Sequence, residues 1–201
     1  ELAKKSEIMD IFIFTNGTLL NEKNRKMLLD SSLTRLFVSL DAATSETYDK
    51  VRISVTKNVQ KINRLEKIEK NIKEFVKLRN KFGKQLPLTR VSFVALKDNS
   101  HEIEAFINKW IDIVDSVEIQ KENSIKIYNK IHKIKNGEIK NDIKVSDKEY
   151  HCNEPWGQVT INSDGSVGPC CNTVGRNIEI GNVLEKGLAE IWNGKKMMEI
   201  R

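Results

Sequence analysis

The sequence has few cysteines, no long apolar run, no internal repeat and no basic run interleaved with aromatics, and each absence removes a class of function. Three cysteines are an odd number, and no secretory signal is recognisable. Both points argue against a disulfide framework and for a cytoplasmic protein. No stretch approaches the roughly 18 consecutive apolar residues of a membrane-crossing helix, so no membrane partner is expected. Lys and Arg number 34 against 28 Asp and Glu, a net charge of +6, but the bases are mixed with acids along helical stretches. That pattern is a solvated surface, and nucleic acid is the weaker reading for a partner.

What is present is concentrated in one place. All three cysteines lie between Cys152-Asn153-Glu154-Pro155-Trp156 and Gly168-Pro169-Cys170-Cys171. Between them Val159 and Ile161 alternate with Thr160 and Asn162, an Asp164-Gly165 turn follows, and then Val167, the pattern of a β-hairpin. A hairpin folds its ends together and is expected to bring Cys152 close to Cys170. The plain reading of such thiols is inert small hydrophobes. The sharper one is metal, since soft thiolates hold zinc or iron–sulfur clusters, normally with four protein ligands. Cys152, Cys170 and Cys171 are the candidate ligands. Cys170 and Cys171 are adjacent and point in different directions from a strand, which makes them poor joint ligands of one ion. His151 could complete a zinc site with Cys152, and zinc is the alternative to a cluster.

The first part of the chain reads as strand, helix, strand, helix. Ile11-Phe12-Ile13-Phe14 is a continuous apolar run that suits a strand covered on both faces. Leu20 to Ser31 reads as a helix, Leu36 to Asp41 as a second buried strand, and Thr44-Ser45-Glu46-Thr47 as a capped helix start leading to Arg52. Asn58 to Phe82 is a longer helix with an apolar stripe at Ile62, Leu65, Ile68, Ile72, Phe75, Val76 and Leu78, ended by Gly83 and Pro87. Arg90 to Leu96 is a third strand, Glu102 to Ile113 a helix and Ser116 to Gln120 a fourth strand. This order predicts right-handed βαβ units and a parallel sheet, as an incomplete barrel or a small open sheet. Ligands of such sheets bind at the strands' C-terminal ends. Those ends carry Thr15-Asn16-Gly17, Ser39 with Asp41, Lys97-Asp98-Asn99 and Gln120, whose plain reading is loop and cap chemistry. A polar stretch from Ile125 to Lys148 reads as a connection between domains.

In this order and spacing the motifs resemble the radical S-adenosylmethionine enzymes that carry a SPASM or twitch-type cluster domain. Thr15-Asn16-Gly17-Thr18-Leu19-Leu20, Ser39-Leu40-Asp41 and Asp49-Lys50-Val51-Arg52 are similar to the family's third strand, fourth strand and following helix. Cys152, Gly165 and Cys170 at their spacing, with Pro155-Trp156, Pro169-Cys170, Gly181-Asn182 and Ile191-Trp192-Asn193, are similar to its cluster domain. The fold class the resemblance implies is α/β: a partial, TIM-barrel-like (β/α) radical SAM barrel over residues 1–122, a linker over 123–149, and an incomplete hairpin-plus-helix SPASM/twitch domain over 150–201. It implies that Ser39 and Arg52 contact S-adenosylmethionine, that Asn16 and Leu96 line the same pocket, and that Cys152 and Cys170 ligate an auxiliary 4Fe-4S iron–sulfur cluster.

The departures from the family pattern carry expectations of their own. No cysteine precedes Cys152, so the CxxxCxxC loop whose cluster cleaves S-adenosylmethionine is absent, as is a later CxxC. The chain is therefore read as the C-terminal part of a longer enzyme, cut short at its far end and inactive alone. Cys171 stands where sulfatase-maturing relatives have a catalytic Asp. The resemblance implies an oxidoreductase or maturase that oxidises or modifies a peptide or a sugar or aminocyclitol through a 5′-deoxyadenosyl radical, served by an electron-donor protein. The rival expectation is a non-catalytic metal- or partner-binding module or remnant, paired with a complementary chain along a sheet edge near Ile11 to Phe14.

Overall fold

The computed structural model describes residues 2–52, 64–121, 153–171 and 178–201. The chain separates into two compact units, Glu1–Asn123 and Ser124–Arg201. The expected linker, the start of the long helix with Ile62, His151 and Cys152 lie outside the described residues.

The first unit runs α1 (Leu2–Lys5), β1 (Phe12–Thr15), α2 (Glu22–Asp30), β2 (Arg35–Ser39), α3 (Ser45–Val51), α4 (Arg64–Lys81), β3 (Leu88–Ala95), a 3-10 turn (Ser100–Glu102), α5 (Ile103–Trp110) and β4 (Ser116–Lys121). The four strands form one parallel sheet in the order β1-β2-β3-β4. Because side chains alternate along a strand, the register sorts them by face. Leu36, Val38, Val91 and Phe93 lie on the face that packs against Ile68, Ile72 and Phe75 of α4 and Phe106 and Trp110 of α5. Phe12, Phe14, Phe37, Arg90 and Glu118 share the opposite face.

That second face corrects one expectation. The run Ile11 to Phe14 does not sit in a strand covered on both sides: Phe12 is 51% and Phe14 60% exposed. The reason is that β1 is an edge strand and the described helices pack on one face only. The apolar run is two sets of side chains aimed oppositely, not one buried strand. Phe37 is buried on the open face, beneath the rings of Phe12 and Phe14 and the Arg90 guanidinium, which lies 3.7 Å from its ring centre. Helix α2 is capped by Asn21, whose side chain accepts from the Asn24 N–H, and buries Leu29 but leaves Met27 exposed.

The second unit contains α6 (Glu154–Gly157), β5 (Thr160–Ile161), β6 (Ser166–Gly168), β7 (Gly181–Asn182), α7 (Leu188–Trp192) and α8 (Lys195–Ile200). The expected hairpin is β5-β6, and Gly181-Asn182 adds a third antiparallel strand to it. Val167, Ile180, Ile191 and Met197 form the small core, with Val159 against it and Ile161 exposed. The Gly165 turn has φ of 82°, and a Cβ there would lie 2.6 Å from Asn182 Oδ1 and 2.8 Å from Leu184 Cγ. Gly165→Ala is therefore expected to cost about 2 kcal/mol, read as faster amide exchange at Val167. Unchanged exchange would mean that Asn182 and Leu184 move aside freely.

Candidate functional site

Two sets of residues are singled out by their chemistry, one in each unit. In the first unit they gather where β2 and β3 end. Ser39 closes β2 half-buried, and its hydroxyl oxygen accepts from the Ser92 hydroxyl at 3.4 Å on the neighbouring strand. Two residues later Asp41 turns the chain and pairs with the Arg52 guanidinium. Its other carboxylate oxygen accepts from the Val94 N–H at 2.8 Å. Leu96, just beyond β3, donates its N–H to Asn99 Oδ1 at 2.6 Å. Ser39, Arg52 and Leu96 are thus brought to one end of the sheet. Asn16 follows β1 at the same end but is exposed, and its side-chain oxygen accepts from the Thr18 N–H at 3.0 Å and the Thr18 hydroxyl at 2.6 Å.

Helix α3, which delivers Arg52 as its C-cap, is anchored from below. Its N-cap Thr44 accepts from the Thr47 N–H at 3.3 Å, the cap foreseen in the sequence. Glu102 adds what the sequence did not announce. Its carboxylate accepts from the Ala43 N–H at 2.7 Å, the Thr44 N–H at 3.2 Å, the Thr47 hydroxyl at 2.8 Å and the Thr44 hydroxyl. Burial by itself would raise the Glu102 pKa, but these bonds outweigh it and hold the carboxyl below the usual range. Glu102 is read from the sequence as an ordinary helix residue, because its partners are 55 to 59 positions away.

In the second unit Cys170 is buried just beyond β6 and Cys171 is exposed, so the two adjacent thiols face different surroundings as expected. Cys152 is outside the described residues, and its approach to Cys170 is not part of the described geometry. Among the described residues no group of three or more His, Cys, Asp or Glu side chains is placed to hold a metal ion.

Two of the described residues, Arg52 and Cys170, have the chemistry that the implied groups take. Arg52 Nε is buried without a hydrogen-bond partner while the same guanidinium is held by Asp41, a donor suited to a carboxylate or hydroxyl of a polar cofactor. The Cys170 side chain, just beyond the β5-β6 hairpin, is of the residue type that ligates iron–sulfur clusters. No helix of the described residues is long and apolar enough to cross a membrane.

Comparison with known proteins gives a family match within the second unit and a fold likeness for the chain. Residues 152–201 match the SPASM family, an iron–sulfur cluster-binding domain. No curated protein matches the chain by sequence. SuiB of Streptococcus suis, in the crystal structure bound to S-adenosylmethionine, is 19% identical with a TM-score of 0.65, over 98% of this chain and 51% of SuiB. SuiB bound to its precursor peptide SuiA is 18% identical with a TM-score of 0.63, over 94% of this chain and 48% of SuiB. The chain spans about half the length of SuiB. Residues 152–201 thus match the SPASM iron–sulfur cluster-binding domain, and the chain shares the fold of about half of SuiB.

Proposed function

We propose that the chain forms part of a radical S-adenosylmethionine oxidoreductase or maturase that modifies a peptide. The observation that carries the reading is the SPASM match across residues 152–201, with Cys170 buried at the end of the β5-β6 hairpin. In this reading Cys170 and Cys152 ligate the auxiliary cluster, with Cys171 the further candidate ligand. Such a cluster supplies one-electron transfer or a Lewis-acidic site for substrate. Ser39 and Arg52 bind S-adenosylmethionine through hydroxyl and guanidinium, and Asn16 and Leu96 line its pocket. A peptide is favoured over a sugar or aminocyclitol because SuiB has been solved with a precursor peptide. An electron-donor protein and a complementary polypeptide are the partners this chemistry calls for.

The test is anaerobic reconstitution of the 201-residue chain with iron and sulfide, followed by metal analysis and visible absorption. Wild-type protein is expected to retain an iron–sulfur chromophore, Cys170→Ser and Cys152→Ser to lose most of it, and Cys171→Ser to lose less. Zinc retained in preference to iron, or iron retained equally by Cys170→Ser, would sink the cluster assignment.

A further inference from the structure

Asp41 sits in a backbone conformation that side chains other than glycine rarely take. Its φ is 64°, in the left-handed region, yet it is buried with both carboxylate oxygens and its carbonyl engaged. One carboxylate oxygen accepts from Val94 N–H at 2.8 Å, the other pairs with Arg52, and the carbonyl accepts from Asn99 Nδ2 at 2.8 Å. Asn99, fully buried, donates the same amide to the Val94 carbonyl at 2.9 Å and accepts from the Leu96 N–H at 2.6 Å. Two side chains therefore tie the end of β2, the end of β3 and the C-cap of α3 into one unit. These are the elements that carry Ser39, Leu96 and Arg52.

The turn itself does not need a carboxylate. Glycine would take the positive φ with less strain, and an Asn oxygen would still accept from the Val94 N–H. Only Arg52 requires the charge. Stability is not what sets that pair apart, because the Arg52 side chain, at 35% exposure, keeps part of its hydration. What it does fix is orientation. It holds one nitrogen of the guanidinium and leaves Nε buried and unpartnered.

We infer that Asp41 and Asn99 are positioning residues for the S-adenosylmethionine pocket, Asp41 acting through the Arg52 guanidinium and Asn99 through the backbone turn at Leu96. The arrangement is preorganisation: orientational freedom of a long cation is removed before the ligand arrives. The inference rests on the cofactor reading given above, and its test separates the two.

S-adenosylmethionine is titrated calorimetrically into the wild-type chain, Asp41→Asn, Asp41→Gly, Arg52→Ala and the Asp41→Asn/Arg52→Ala double variant, with Ser39→Ala as reference. Asp41→Asn and Asp41→Gly, which both tolerate the left-handed turn, are expected to weaken binding about tenfold, and the double variant to bind no more weakly than Arg52→Ala alone. Wild-type affinity in Asp41→Asn, or losses that add in the double variant, would overturn the role of Asp41. Asn99→Ala is expected to weaken binding with the Arg52 signal intact, and unaltered affinity there would remove Asn99 from the inference. The Arg52 side-chain Nε–H resonance gives a readout free of the ligand: slow solvent exchange in the wild type and in Ser39→Ala, fast in Asp41→Asn. No binding by any protein together with this NMR pattern would overturn the cofactor reading and leave Asp41 as the group that orients Arg52. Fast exchange already in the wild type would overturn the positioning role itself.

Discussion

Asp115→Ala is expected to destabilise the first unit by about 3 kcal/mol or more, and more than Arg79→Ala does. The Arg79 side chain is only 7% exposed, in the last turn of α4, and its guanidinium forks onto Asp115 while donating to the Pro87 carbonyl at 3.0 Å. Removing Asp115 leaves a buried cation with neutral acceptors only, the Pro87 carbonyl and Asn80 Oδ1 at 3.2 Å. Removing Arg79 leaves a carboxylate whose side chain is 28% exposed and which still accepts from the Thr89 N–H at 2.6 Å, so it rehydrates at lower cost. Burial pushes the Asp115 pKa up, but the bonds from Arg79 and Thr89 and the Arg79 charge more than offset that and leave it lowered. A carboxyl with a lowered folded pKa contributes stability above its unfolded pKa, and this is lost as pH falls through the folded value. Urea titrations at neutral pH decide the ranking. Equal midpoints for the wild type and Asp115→Ala would mean that Arg79 finds water or another acceptor.

The second large effect is at Glu102. Its carboxylate closes the N-terminal end of α3 from a turn far along the chain, and the Ala43 N–H it accepts has no helical partner of its own to fall back on. Glu102→Ala is expected to cost about 2–3 kcal/mol, since it strands buried donors, and Glu102→Gln roughly half of that because one oxygen acceptor remains. The sign with pH follows the same rule. The folded pKa is lowered, so the contribution is full above the unfolded Glu value and fades in acid as the folded group protonates. Amide exchange at Ala43 and Thr44 as a function of pH measures it directly. Protection in Glu102→Ala equal to wild type would show that the β2-α3 turn holds itself. The turn also carries Asp41, so loosening it is expected to free Arg52 as well.

Much of this was legible in the chain itself. Alternation of apolar runs with 3.6-period stripes was enough for four parallel strands and their helices, because burial of one stripe per helix leaves few other arrangements. The order Leu65, Ile68, Ile72, Phe75, Val76 fixed the buried face of α4, and all five are buried. The Thr44 cap and the Asp164-Gly165 turn were readable because they are local, made by residues two or three positions apart. The fold likeness to SuiB and the SPASM match agree with the resemblance found in Ser39-Leu40-Asp41 and in the spacing of Cys152, Gly165 and Cys170.

What tertiary structure decided depends on contacts between residues far apart in sequence. Nothing local distinguishes Phe12 and Phe14, on an open face, from the buried Leu36 and Val38, because a strand's two faces acquire their meaning only from what packs on them. Asn71 and Arg79 sit buried in a helix stripe where periodicity predicts apolar side chains. The Gly17 carbonyl and the Asp115 carboxylate meet them there across 54 and 36 residues. Likewise Asp41 and Asn99 read in sequence as loop and cap residues, and Glu102 as an ordinary helix residue. Each has a partner more than 50 positions away once β2 and β3 pair, and only that pairing turns three ordinary polar side chains into the frame that holds Ser39, Arg52 and Leu96 at one end of the sheet.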